Sequence, residues 1–158
     1  MSIIVGLHQA KDPANLANTR RAMSCYGGGR LFVSGERMGR ALNTDERLPR
    51  PLRDRRYDNV KMQLGMKDFP TSIEAWAKEG YIPVAIEVSG SQNLAYFEHP
   101  KNAIYVFGPE DGSLPPQILS RCHAHVVIPT LHCLNLAVAV STVLYDRMAK
   151  TWTVMKDL

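Results

Sequence analysis

The chain has 158 residues, 45% of them hydrophobic and 22% charged, with a formal net charge of +4. This is the length and make-up of one globular domain, residues 1–158, with a sizeable core. The sequence shows no repeat, low-complexity tract or linker and, with no apolar run near the ~20 residues of a membrane helix and no signal-peptide pattern at the N-terminus, points to the cytoplasm. The small positive charge permits an anionic partner without requiring one.

In chain order, Ser2–Leu7 is a short β-branched apolar run and reads as the first strand of a buried sheet. Asp12-Pro13 has the form of an N-cap followed by proline at the first helical position, predicting a helix from about Pro13 to Tyr26 that stops at Gly27-Gly28-Gly29. At 100° per residue, Leu16, Thr19, Ala22, Met23 and Tyr26 share one face of that helix, and Arg21 lies nearly opposite. Arg30–Ser34 is a second strand.

Residues Glu36 to Asn59 hold Arg37, Arg40, Arg47, Arg50, Arg53, Arg55 and Arg56, no lysine, and the breakers Pro49 and Pro51. Two readings stand. Guanidinium forks suit phosphates and stacked bases, and a solvated irregular loop, partly neutralised by Glu36, Asp45, Glu46 and Asp54, would look the same. A short strand fits around Val60–Met62. A helix is expected from Thr71, with Ser72 as N-cap, Ala75 and Trp76 inward and Gly80 as stop. Tyr81–Val88 is a third strand, Gln92–Phe97 a turn of helix, and Ala103–Phe107 a fourth convincing strand. Pro115 and Pro116 open a helix to about Arg121, His125–Ile128 is the last strand, and an almost wholly apolar helix runs from Asn135 to about Lys150. Alternating strands and helices argue for an α/β fold with a mainly parallel sheet.

Several chemistries lack their signatures. No G-x-G-x-x-G or Walker loop follows the first strand, and no serine sits in a G-x-S-x-G elbow. Cys25, Cys122 and Cys133 are odd in number and lack finger spacing, so neither a disulfide frame nor a metal site is suggested, and the histidines have no ligand-like arrangement. Attention falls instead on the two loops that follow late strands and precede helices, the places where open α/β sheets bind ligands.

Those loops, and the first helix, carry a resemblance. Phe107-Gly108-Pro109-Glu110-Asp111-Gly112-Ser113-Leu114-Pro115 is similar to the second motif of the SPOUT (SpoU/TrmH-type) RNA methyltransferases, and Ile128-Pro129 with Cys133-Leu134-Asn135 and the small apolar run after it is similar to their third. Asn15, Asn18, Arg21 and Gly27 match the first motif, with Ala17 where glycine is frequent and with Arg20 competing for the arginine position. The resemblance implies S-adenosylmethionine as cofactor, held by Ile86, Gly108, Ile128, Cys133 and Leu134. It implies catalytic or supporting roles for Arg21, Glu110, Asn135 and Asn15, with Glu110 orienting Arg21 or holding its own loop. The implied reaction is methylation of a ribose 2′-hydroxyl of RNA by a homodimer; the family acts on both tRNA and rRNA, and the small size of this chain favours tRNA with rRNA still open. A knot-fold RNA-binding protein without turnover is the alternative. The family's fold adds a deep trefoil knot, in which about Phe107–Leu136 passes through a loop of the same chain, against the general rule that chains do not thread. The loop from Ile128 to Cys133 is short for the family, and cysteine replaces serine.

Overall fold

The computed structural model describes residues 2–44 and 48–156; Arg47, Asp45 and Glu46 of the arginine-rich stretch lie outside them. Seven strands form one sheet: β1 Ser2–His8, β2 Gly29–Ser34, β3 Val60–Met66, β4 Ile82–Ile86, β5 Gln92–Asn93, β6 Asn102–Phe107 and β7 Ala124–Val127. Their order is β3-β2-β1-β6-β4-β7-β5, and every pairing is parallel. Helices cover both faces, so the central strands are apolar on both sides and read as unbroken hydrophobic runs.

Alternate strand residues feed two cores. Val5, Leu7, Leu31, Val33 and Tyr105 face the helices α1 Pro13–Cys25 and α5 Leu136–Lys156, where Leu16, Met23, Val140, Val143 and Leu144 meet them. Ile4, Phe32, Ala85, Ile104 and Val106 face α3 Phe69–Lys78 and the short α4 Pro116–Leu119, where Phe69, Ile73, Trp76 and Ile118 complete the second core. The Asp12 carboxylate caps α1 by accepting the Ala14 amide at 2.8 Å, and the glycine triplet ends it. Gly28 shows why glycine is needed there: φ is +82°, and a Cβ would collide with the Asn59 carbonyl oxygen.

Several expectations are corrected. The arginine-rich stretch is not irregular throughout: α2 Arg37–Thr44 is a helix, because Met38 and Leu42, four residues apart, pack on the first core while the arginines stay outside. Strand β3 continues past Met62 to Met66 as a half-exposed edge, with a register shift opposite Phe32–Ser34 near Gly65, whose φ is +71°. Helix α3 starts at Phe69 on an Asp68 cap, which accepts from the Thr71 amide at 3.2 Å, and Ala75 faces solvent rather than inward. Gln92–Phe97 holds the two-residue β5 and a 3₁₀ turn Leu94–Tyr96, the Asn93 side chain capping that turn. The third strand is shorter than Tyr81–Val88, spanning Ile82–Ile86. Helix α4 stops at Leu119, short of Arg121, and the last strand shifts by a residue to Ala124–Val127. The last helix begins at Leu136, with Asn135 as its cap, and continues to Lys156.

Helix α5 is fastened to the sheet by polar groups as well as apolar ones. Arg147, 6% exposed, donates to the carbonyl oxygens of Pro100 and Lys101 and to the Tyr105 hydroxyl, at 2.5, 2.6 and 3.1 Å. Among the described residues no helix is long and apolar enough to cross a membrane.

Candidate active site

Strands β4, β6 and β7 end side by side, and the loops that follow them enclose an open cleft of about 720 Å³, its mouth included. Ile86, Gly108, Ile128, Cys133 and Leu134, the five residues expected at a cofactor, all line it. Ile86, Ile128, Leu134 and Leu136 form an apolar wall, and Glu87, Glu110 and Thr130 bring polar side chains to the lining. The residues are thus of the kind a flat heteroaromatic ring with hydrogen-bonding edges requires. Among the described residues, no group of three or more His, Cys, Asp or Glu side chains is placed to hold a metal.

Glu87 also lines the cleft, although no motif in the sequence singles it out. Its Oε1 accepts the Leu114 amide at 2.5 Å, drawing the Gly-Pro-Glu-Asp-Gly-Ser-Leu loop back across the end of β4. This fold-back explains Gly108 from within the chain: a Cβ there would stand 3.3 Å from both Leu114 N and Ser113 C and 3.5 Å from Glu87 Oε1. Glycine at 108 therefore keeps the loop closed, in addition to leaving room in the cleft. The one local signal for Glu87 is a carboxylate at the end of an otherwise apolar buried strand.

Glu110 also lines the cleft, and its carboxylate reaches the start of α1. It accepts the amides of Lys11 and Asp12, both at 3.1 Å, and the Asn15 side-chain amide at 3.1 Å. Burial pushes the carboxyl up, but hydrogen bonds from its own amide, Asn15, Asp12 and Lys11 outweigh that and hold it below the usual carboxylate range. It stays ionised at neutral pH. Asn15 in turn accepts from the Asn135 side chain at 2.9 Å, and Asn135 Oδ1 caps α5 through the Ala137 amide, also at 2.9 Å. The chain Asn135–Asn15–Glu110 therefore ties the loop before α5 to α1 and to the loop after β6. Next to it Asp111 takes two bonds from Arg37, at 3.0 and 2.8 Å, and one from Lys11 Nζ at 3.2 Å; Arg37 above all holds this carboxyl well below its usual range.

Arg21 is exposed, and no ion-pair or hydrogen-bond partner reaches it among the described residues. In particular Glu110 does not hydrogen-bond to it, correcting one of the two roles expected for that carboxylate; apart from its own amide, the donors to Glu110 belong to the Lys11–Asn15 stretch. Arg21 lines a groove between α1 and α5 together with Asn18, Asn135, Val138 and Tyr145. Asn135 thus sits between that groove and the cofactor-type cleft, whose wall includes its neighbours Leu134 and Leu136. Arg20 is not a second solvated arginine. It is 8% exposed and donates to the Pro51 carbonyl at 3.0 Å and to Asp58 at 3.2 Å. Of the two, Arg21 has its guanidinium available for another molecule.

The fold is shared with known proteins. A solved structure described as giving insight into 2-OH methylation of C/U34 on tRNA superposes with a TM-score of 0.80 at 25% identity, covering 96% of this chain and 97% of that one. The SpoU methyltransferase AviRb from Streptomyces viridochromogenes, solved with AdoMet, gives a TM-score of 0.76 at 19% identity over 95% of this chain and 58% of that one. A curated tRNA/rRNA methyltransferase from Synechocystis sp., itself uncharacterised, is 23% identical over 150 residues, and the chain spans about half of its length, 53%. The profile of the SpoU rRNA Methylase family matches residues 2–145, and the chain belongs to that family.

Proposed function

We propose that this chain transfers the methyl group of S-adenosylmethionine to a ribose 2′-hydroxyl of RNA, with tRNA ahead of rRNA as substrate. The observation that carries the reading is the adjacency of the two depressions: a cleft bearing all five cofactor-type residues, and, across Asn135, a groove bearing the unpaired Arg21. The solved relative described for tRNA 2-OH methylation supports the ribose and tRNA assignment, and the AdoMet-bound relative supports the cofactor.

Bound S-adenosylmethionine supplies a methyl group already activated by the sulfonium. What remains for the protein is alignment of the acceptor and management of the hydroxyl proton. Ile86, Ile128 and Leu134 would hold the cofactor's adenine by apolar contact, with Gly108 and Cys133 also on the cleft wall. Arginine does not deprotonate in proteins, so Arg21 is not a base; it stabilises the negative charge that develops on the ribose oxygen as the hydroxyl proton passes to an RNA phosphate or to solvent. Asn15, Glu110 and Asn135 act as positioning residues, fixing the three loops relative to one another and to α1. The loop passage from about Phe107 to Leu136 forms a trefoil knot, as the family's fold implies. Val138, Tyr145, Met148 and Trp152 leave an apolar strip on α5 exposed, Tyr145 by 56% and Trp152 by 54%, and a second copy of the chain covers it.

Methyl transfer from labelled S-adenosylmethionine to bulk tRNA and rRNA, followed by nucleoside mass spectrometry, tests the reading. A 2′-O-methylnucleoside is expected, more from tRNA. Base methylation, or RNA binding without any transfer, would overturn it. Light scattering should give twice 17.7 kDa; a monomer at micromolar concentration would contradict the dimer.

A further inference from the structure

Helix α1 lies against α5 along one side and against the turns that follow α2 along another. Those turns, 3₁₀ segments Arg50–Leu52 and Arg55–Tyr57, contain no buried residue. Leu52 alone packs against the edge of the first core, and a polar side chain of α1 adds a second anchor. The Arg20 guanidinium, its side chain 9% exposed, reaches out of α1 to the Pro51 carbonyl and to Asp58, bracketing the segment at both ends. Burying an arginine for a solvated loop is costly, which makes the loop's surface the thing to explain.

That surface is strongly basic. Residues 50–56 read Arg-Pro-Leu-Arg-Asp-Arg-Arg, four arginines against one acid. The acid, Asp54, is taken by Arg50 and Arg56 at 3.0 and 2.8 Å, and hydrogen bonds from Arg56 first, then Arg50, hold its carboxyl well below the usual range. Arg53 and Arg55 are exposed and have no acidic partner among the described residues. They stand on a segment fastened to α1 one residue from Arg21. Planar guanidinium forks match phosphate oxygens and stack on bases in a way that lysines do not.

We propose that the Arg50–Arg56 turns are the surface that grips the RNA backbone and leads the strand to Arg21, and that Arg20 is the positioning residue that fastens this surface to the catalytic helix. The inference rests on RNA being the substrate. It gives the arginines separate roles, in which Arg53 and Arg55 supply affinity, Arg21 acts on the reacting ribose, and Arg20 touches neither.

The test measures binding of bulk tRNA to the full chain across a salt series, with S-adenosylmethionine affinity by calorimetry in parallel. Arg53→Glu/Arg55→Glu should bind tRNA at least about 10-fold more weakly and reduce the slope of log K against log salt by roughly 1 to 2, as loss of one or two phosphate contacts requires. Its cofactor affinity should be unchanged. Lys67→Glu/Lys78→Glu, the same charge change beside and on α3 on the opposite face of the sheet, should leave the slope nearly as it was. Arg20→Met should speed tryptic cleavage within 50–56 and weaken tRNA binding, again without changing cofactor affinity. An unaltered chain that binds and methylates tRNA, with an Arg53/Arg55 variant matching it in affinity and slope, would overturn the inference alone. No tRNA binding by the unaltered chain would overturn both the inference and the RNA reading on which it rests.

Discussion

Two polar chains run through this protein, and they differ in what they leave free. The first is buried between α5 and the sheet. Arg147 donates to the Tyr105 hydroxyl at 3.1 Å, Tyr105 to His99 Nδ1 at 2.6 Å, and His99 Nε2 to Asp146 at 2.7 Å, where Lys150 also donates at 2.7 Å. This direction of donation is the one that satisfies every member. His99 and Asp146 have ion-pair geometry, yet burial lowers the imidazole's pKa more than Asp146 raises it, so at neutral pH the contact is a hydrogen bond from a neutral ring. Burial likewise pushes the Tyr105 hydroxyl up to about 12. The second chain, Asn135–Asn15–Glu110, lies at the carboxyl edge of the sheet between two depressions, with Arg21 unpaired beside it. The more perturbed network is the structural one. Perturbed titration marks a candidate site only where a cleft adjoins it, and His99 with Tyr105 has neither a cleft nor a spare donor.

The contrast breaks most visibly at Arg147. Arg147→Ala strands two carbonyls and leaves the Tyr105 hydroxyl only its bond to His99, and urea denaturation should show a loss of about 3 kcal/mol, with S-adenosylmethionine affinity of the folded protein unchanged. Conversely, Gly108→Val should leave unfolding close to two-state with a native circular-dichroism spectrum while calorimetry detects cofactor binding at least about 10-fold weaker. Unchanged affinity would remove Gly108 from the cleft. Glu87→Gln keeps an acceptor for the Leu114 amide but exchanges a charge-assisted bond for a neutral one, worth about 1 kcal/mol. It should weaken cofactor binding severalfold through the loop alone.

The smallest effect is the acid dependence of the buried chain. The folded pKa of His99 lies below the unfolded value of 6.5, so the unfolded chain takes up the proton first. Its contribution to stability is complete above about pH 6.5 and shrinks as pH falls toward the folded pKa. Urea midpoints measured from pH 7.5 down to 5 should fall, and fall less steeply in His99→Gln. Equal slopes would mean that His99 is not neutral in the folded protein.

The architecture is legible in the sequence because strands buried on both faces are apolar without interruption, as in Ile3–Val5 and Ile104–Val106. The cofactor-type residues are legible through the motif resemblance, and the cleft brings all five together. The burial of Arg20 is harder to see although a signal is present: on the α1 wheel it lies about 40° from Leu16, whereas Arg21 lies about 140° away. A charged residue near an apolar stripe reads as exposed, as most arginines are, because the partners that bury it, Pro51 and Asp58, are over thirty positions distant. Helix α2 is hidden for a related reason, since two apolar residues among arginines make a weak stripe until the rest of the core is known. Ser72 is a more conspicuous cap than Asp68 in the bare sequence, because Pro70 makes the later helix start look cleaner. The Glu87–Leu114 contact joins residues 27 apart, and its one local signal is a carboxylate at the end of an apolar strand.

The central claim is that Arg21, exposed and unpaired beside Asn135, acts on the RNA ribose during methyl transfer. The direct measurement is the rate of transfer from saturating S-adenosylmethionine to bulk tRNA by Arg21→Ala relative to the unaltered chain. Because Arg21 holds up nothing in the fold, its loss should change unfolding free energy by less than about 0.5 kcal/mol. Turnover should drop by roughly 10²-fold or more, the scale of a lost electrostatic donor, while cofactor affinity stays constant. A variant that methylates tRNA at the unaltered rate would contradict the account.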